Sequence, residues 1–310
     1  MSALNRAWQG WQKWCFGAVD PRRLAMLRIG WALLALWCYL PMADDLDWML
    51  ADSGTYSNAS RIEDWSTARW NVYANPLWQV TDFSQVQAIF VAGLGLLVLV
   101  LFGVGTRVTF PLAWIILLSA ANRNPVWSDG SDAILRVFGF YMLFMPMGRA
   151  WSVDAWIAQT KGWTLPAAPK WPLRLFQIQV CILYVKTGYI KAVQERWQSG
   201  EAVWHAMNNQ VYWRFQLADV LSLRVMEWFC VAATYGTLVF ELGFPLVFLR
   251  RARPWVLLIG LGLHLGIWFF LNLGGFSEAI LWTYLAFWVP ALMRGDANLR
   301  ASASSPDSPA

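Results

Sequence analysis

Charge is scarce in this sequence. Asp, Glu, Lys and Arg make up 14% of 310 residues, about half the share in an ordinary soluble domain, which is too little to cover a globule in water. Histidine is scarcer, with two residues, and the four cysteines (Cys15, Cys38, Cys181, Cys230) show no CxxC or other metal spacing. No metal and no structural disulfide are expected, and three of the cysteines sit in apolar runs as small hydrophobes. There is no basic run of the kind that binds nucleic acid. Nor is there an internal repeat, a paired half-helix signature of the transporter type, a soluble second domain, or a clean A-x-A cleavage site after the basic leader.

What is present is apolar and aromatic. Hydrophobic residues make up 58% of the chain and tryptophan alone accounts for 23 positions. Several apolar runs reach the roughly 17–25 residues that a membrane-spanning helix needs. The fold class expected is all-α, a polytopic transmembrane helix bundle of about eight spans. These fall near 24–42, 85–104, 108–121, 132–148, 173–193, 225–249, 254–271 and 276–293. The third is short enough to be either a tilted span or a re-entrant segment. Tryptophans gather beside the connections (Trp8, Trp11, Trp14, Trp48, Trp151, Trp156, Trp163, Trp171 among them), where an indole keeps its ring dry and its N–H wet.

The termini and loops follow from capping and charge. Residues 1–22 space Trp8, Trp11 and Trp14 three apart beside Arg6 and Lys13, as in an amphipathic helix lying in the interface. Asp20 and Pro21 are suited to cap and open the first span. Fourteen of the 24 Lys and Arg fall on one side of this topology and six on the other, which sets both termini inside. The outer segments are 43–84 and 194–224, and the 294–310 tail, ending in ASASSPDSPA, is expected to be disordered.

Ionisable groups inside the spans are functional candidates by default, since each costs roughly 2.5–3.5 kcal/mol at mid-bilayer. Lys186 and Lys191 lie in the fifth span, ILYVKTGYIKAVQERW. Tyr184 and Lys191 share a face with Gly188 beside them, while Gln179 and Lys186 form a second face nearly opposite. Such a helix should be central in the bundle or line a wet cavity. For Lys191 snorkelling to the outer interface is the alternative, whereas Lys186 lies deeper and calls for a buried partner. Glu241, in FELGFPLVF, is a partner for Arg28 or Lys186. His264 lies in the seventh span, and Glu278 opens the eighth. Asn122, Arg123, Asn124, Asp129 and Asp132 form the outer turn before the fourth, with Arg136 placed to pair with Asp132 at i+4. The blander reading of each is structural: a hydrogen-bonded core histidine, a helix-end ion pair.

These blocks, NRNPVWSDGSDAILR, then RLFQIQVCILYVKTGYIKAVQERWQSG, then FELGFPLVFLRRARPW and GGFSEA, run in an order that resembles the HTTM domain. This is the membrane domain shared by vitamin K-dependent gamma-carboxylases and many bacterial proteins. The resemblance covers about 18–293, so that 23–293 is expected to form an HTTM-like transmembrane domain. It implies that Lys191, in the Tyr184–Gly188–Lys191–Trp197 pattern, is the base that deprotonates a reduced naphthoquinone of the vitamin K or menaquinol type, and that a substrate glutamate then loses a proton before CO2 adds. It also implies a pocket drawn from Tyr184, Lys186, Gly188, His264, Glu278, Asn122, Asn124 and Asp129. The carboxylases carry a large lumenal region after this domain that the sequence does not show, so bacterial HTTM-only proteins are the nearer comparison. The implied setting is a bacterial inner membrane, with a secreted peptide or protein as substrate. The other reading is a non-catalytic membrane partner in export or maturation of such a peptide.

Overall fold

The computed structural model describes residues 3–55, 57, 77, 80–124, 128–212, 214–215 and 222–288. Trp65, Trp70, Trp78, Trp127, the 294–310 tail, the eighth span past Trp288 and parts of the 43–84 and 194–224 segments lie outside these residues.

Local sequence starts and stops the helices. Helix α1 (Ala3–Phe16) stacks Trp11 on Trp14 at 5.5 Å and turns Leu4, Trp8 and Trp11 outward. A two-residue antiparallel bridge, Ala18–Val19 with Ala168–Pro169, then leads into α2 (Pro21–Tyr39). The Asp20 side chain accepts from the Arg22 N–H and Pro21 takes the first turn, as the sequence suggests. After α3 (Leu46–Leu50) come the long α4 (Phe83–Phe102) and α5 (Thr106–Arg123), the first ending at Gly103 in the left-handed region, φ 71°. Helix α6 (Gly130–Met142) opens on a capping box built by Asp129 and Asp132. Then follow α7 (Val153–Thr160), α8 (Trp171–Ala192), the short α9 (Glu195–Gln198) and α10 (Ala202–Met207), α11 (Leu223–Gly243), α12 (Arg253–Phe270) and α13 (Phe276–Thr283).

The chain is an α-helical bundle and an integral membrane protein. Pro21–Ala43, Phe83–Phe102, Leu223–Phe248 and Arg253–Phe270 are each long and apolar enough to cross a bilayer. Each of the eight segments expected from the sequence begins on a helix. The third is an 18-residue continuous helix containing Pro111. The eighth is an eight-residue helix followed by a 3-10 turn, Tyr284–Ala286. Helix α2 runs through the middle, packing on α4, α6 and α13, with Leu24, Leu27 and Trp31 fully buried.

Between helices in lipid the driving force is close packing and hydrogen bonding, because hydrocarbon is as apolar as leucine. The core tryptophans serve both. Trp31 Nε1 donates to the Leu135 carbonyl at 3.1 Å, Trp114 to Arg136 at 2.9 Å and Trp282 to Leu27 at 3.0 Å. Among the exposed tryptophans, Trp8, Trp48, Trp151, Trp156 and Trp163 lie at or beside connections, while Trp37, Trp228, Trp255 and Trp268 lie within long helices.

Two buried arginines tie the ends of the bundle. Arg28 donates to the carbonyls of Met147 at 2.8 Å and of Trp151, anchoring the segment between α6 and α7. Glu241 is therefore not its partner. At the other end Arg123, also fully buried, donates to the carbonyls of Leu50 at 2.6 Å, Val80 at 2.9 Å and Leu77. The Arg123→Leu variant would strand these carbonyls at a cost of about 3 kcal/mol or more. The thermal midpoint of the detergent-purified chain should fall accordingly, and an unchanged midpoint would show that the α5 end is held by something else.

Candidate functional site

The Tyr184, Gly188 and Lys191 side of α8 faces inward. Tyr184 and Gly188 are buried and Lys191 is half-buried at the last turn, where a cation suits the helix dipole. Gly188 lets α11 approach: a Cβ there would stand 3.0 Å from the Cβ of Glu241 and 3.2 Å from Leu242. The approach brings Lys191 Nζ onto Glu241 Oε1 in an ion pair, with side-chain exposures of 29% and 8%. Glu241 stands in the last turn of α11, the wrong end of the dipole for a carboxylate, so it depends on that cation. Its second oxygen is buried and accepts no hydrogen bond. Lys191 Nζ also sits over the Trp197 ring, 5.0 Å from the centroid.

Tyr184 is the hub of a second buried group. Its ring stacks on Phe244 with centroids 4.1 Å apart and meets Phe240 edge-on. Its hydroxyl lies 2.7 Å from His264 Nε2 and 2.7 Å from the Tyr284 hydroxyl. Gly260 on α12 makes this possible, since a Cβ there would lie 2.2 Å from the Tyr284 oxygen. His264 Nδ1 is buried without a hydrogen bond. With that nitrogen protonated, Tyr284 donates to Tyr184 and Tyr184 to His264; in the other tautomer the chain of donors reverses.

A cavity of about 530 Å³ opens beside Lys191, between α11 and α12 and under α10. Small residues make the room: Ala202 and Ala206 on α10, Ala233 on α11, Gly262 and Gly266 on α12. Phe229, Phe270 and Phe276 supply apolar walls, and Lys191 is the one charged side chain among the described lining residues. Phe276 also faces the His264 ring at 5.9 Å, so the polar hub lies directly behind the cavity wall.

Other expected site residues lie elsewhere. Lys186 is exposed, on the same stripe of α8 as Ile182, Val185, Tyr189 and Ile190. Lys186 therefore points outward, where a long side chain can carry its charge to the interface, while Gln179, expected on the same face, is half-buried and accepts from the Tyr141 hydroxyl of α6 at 3.0 Å. Asn124 is buried and donates to Met49 and Thr55, tying the end of α5 to α3 and the segment after it. Asn122 accepts from Arg136 at 2.8 Å. Arg136 otherwise donates to Ser128 and to the backbone carbonyl of Asp132, while the Asp132 carboxylate accepts from Tyr39 at 2.6 Å and from the Asp129 N–H. The expected Asp132–Arg136 ion pair is thus replaced by two separate sets of bonds. Asp129, Asp132 and Glu278 line a second, polar basin of about 540 Å³, with Arg214 and Trp268 on its rim.

Among the described residues no group of three or more His, Cys, Asp or Glu is arranged to hold a metal ion. Gly260, Tyr284 and the small residues of the cavity were not singled out by sequence. The spacing of Gly262 and Gly266 by four is the one local sign of a concave helix face.

A family model, the HTTM domain, matches residues 16–291. No curated protein and no solved structure matches the chain.

The hydroxyl chain yields a graded expectation. Tyr184→Phe removes both of its bonds and should cost about 1–3 kcal/mol, whereas Tyr284→Phe removes one and should cost less. Thermal unfolding of the two variants checks the order, and equal, negligible losses would mean that the hub is not held by these hydroxyls.

Proposed function

The chain belongs to the HTTM domain family, the domain of the vitamin K-dependent gamma-carboxylase membrane region, and from that premise we propose that it is a quinone-dependent modifying enzyme with Lys191 as its base. The observation that carries this reading is the placement of Lys191: the one charged group, among the described lining residues, on a 530 Å³ apolar cavity, backed by the buried carboxylate of Glu241.

The donor set fits a reduced naphthoquinone. Its flat apolar ring matches walls of Phe, Leu, Ala and Gly, and its polar edge requires one hydrogen-bonding corner, which Lys191 and Thr237 supply. When bound, such a group supplies an ionisable hydroxyl and the electrons for the oxidative step. The chain then has three tasks. Lys191 Nζ passes its proton to Glu241 along the hydrogen bond that joins them, leaving a free amine at the cavity; that amine accepts a proton from the ligand's hydroxyl. Trp197 holds the ammonium form by its ring face, and the apolar walls keep water from the reacting centre. The modified molecule in this reading is a secreted peptide or protein, reaching the site from the end of the bundle that carries 43–84 and 194–224, with the bacterial inner membrane as the setting.

A second reading has one observation in its favour. The amine of Lys191 is already engaged by Glu241, as it would be in a protein that keeps the fold as a non-catalytic maturation partner.

Epoxide formation separates the two. The purified full chain, given reduced vitamin K or menaquinol with oxygen and CO2, should form the quinone epoxide. Lys191→Ala should lower the rate by about 100-fold or more, and Lys191→Arg should not restore it. Because Lys191→Ala leaves Glu241 buried and uncompensated, at about 3–5 kcal/mol, the Lys191→Ala/Glu241→Gln pair is the cleaner variant and should be as inactive while keeping its fold. No epoxide from wild type under any condition would decide for the partner reading.

A further inference from the structure

At the end of the bundle where α1 lies, four chain segments bring five cations together. Lys13 stands in the last turn of α1, Arg23 in the first turn of α2, Lys170 and Arg174 at the start of α8, and Arg253 at the start of α12. Arg174 is central. Its guanidinium lies over the Trp14 ring at 4.4 Å, its Nε donates to the Trp14 carbonyl at 3.1 Å and its Nη1 to Gln177 at 2.7 Å. Gln177 and Arg23 then donate to the same carbonyl, Ala286, at 2.6 and 2.7 Å. Arg253 Nε donates to the Val247 carbonyl at 3.0 Å. The Lys170 N–H donates to Gly17 at 2.8 Å, which fixes its side chain beside the end of α1.

All these acceptors are neutral. The nearby carboxylate, Asp20, is engaged through both oxygens by Arg22 and caps α2. The charges of Arg174 and Arg253 bear on Arg23, and those of Arg174, Arg23 and Lys13 on Lys170. Burial first, and then these neighbours, lower the Lys170 ammonium from its ordinary value. Three helix N-termini, those of α2, α8 and α12, add their positive dipole ends at the same place, where cations are disfavoured and anions favoured. Asp20 offsets part of this field at Arg23, less than Arg174 and Arg253 add to it.

We propose that the cluster seats the phosphate of an anionic phospholipid headgroup from the leaflet at this end of the bundle. A lipid is the source because apolar surface continues from the cations. Trp8, Trp11 and Phe16 on α1 and Leu249 and Trp255 beside Arg253 are all exposed, which places acyl chains alongside while the phosphate meets the guanidinium and ammonium groups. The site lies at the opposite end of α8 from Lys191 and owes nothing to quinone chemistry.

The test uses the full chain purified in detergent and follows its thermal midpoint against short-chain phosphatidylglycerol, short-chain phosphatidylcholine and inorganic phosphate. Phosphatidylglycerol should raise the midpoint and phosphatidylcholine should not. In Lys13→Ala/Lys170→Ala, which removes side chains that make no hydrogen bond among the described residues, the midpoint in phosphatidylcholine should stay as in wild type. The apparent affinity for phosphatidylglycerol should fall about ten-fold or more. Equal stabilisation by both lipids, or wild-type affinity in the double variant, overturns the proposal. Inorganic phosphate reproducing the whole rise overturns the lipid assignment. A response that appears only after Asp296→Asn and Asp307→Asn would mean that the chain's own carboxylates fill the cluster, and also overturns it.

Discussion

The ion pair between Lys191 and Glu241 joins the packing of two helices to the cavity beside them. A carboxylate buried in the last α-turn of a helix faces both desolvation and an adverse dipole, so Glu241 needs a cation beside it where α11 passes into the 3-10 turn Phe244–Phe248. Lys191 supplies that cation from the favourable end of its own helix. Gly188, one turn earlier, removes the side chain that would hold the two helices apart. The same pair sets the polar corner of an otherwise apolar cavity. Helix packing and the polar corner of the cavity therefore draw on one hydrogen bond, and a change to either residue acts on both.

The two ends of the bundle carry opposite chemistry. Beside Lys191 the cavity is separated from an acidic basin by the segment from Leu271 to Phe276, with Asp129, Asp132 and Glu278 on the far side. Behind the cavity wall lies a hydroxyl–imidazole chain, Tyr284, Tyr184 and His264, sealed by aromatic rings. At the other end α8 begins among guanidinium groups that donate to carbonyls and an amide and lie over an indole ring. One helix thus links the cavity and its ion pair to a basic rim.

Several elements were legible because their signals are local. The cap of α2 is written in Asp20 and Pro21, and the spacing of Tyr184, Gly188 and Lys191 puts them on one face of any helix. Helix α5 was harder. Its apolar core is only about fourteen residues, and Thr106, Arg107, Asn122 and Arg123 read as the ends of the span. The structure extends the helix through them because Asp154 accepts from the N–H groups of Gly105 and Thr106, and Arg123 finds three carbonyls. A hydropathy count charges a buried arginine its full desolvation and cannot see the acceptors that offset it.

The order of blocks along the chain determined that this is a helical membrane bundle of the HTTM family, and helical periodicity determined which residues of α8 travel together. Which face of α8 turns inward was left open, because Lys186 and Lys191 are the same residue type in equally apolar surroundings. Tertiary packing decided it: only the side bearing Gly188 is smooth enough for α11 to approach, which gives Lys191 its carboxylate and turns Lys186 outward. It also decided that Tyr184 bonds His264 and Tyr284, which lie 80 and 100 residues further along. Separations of that length carry no periodic signal; close packing of the helices brings those groups into contact.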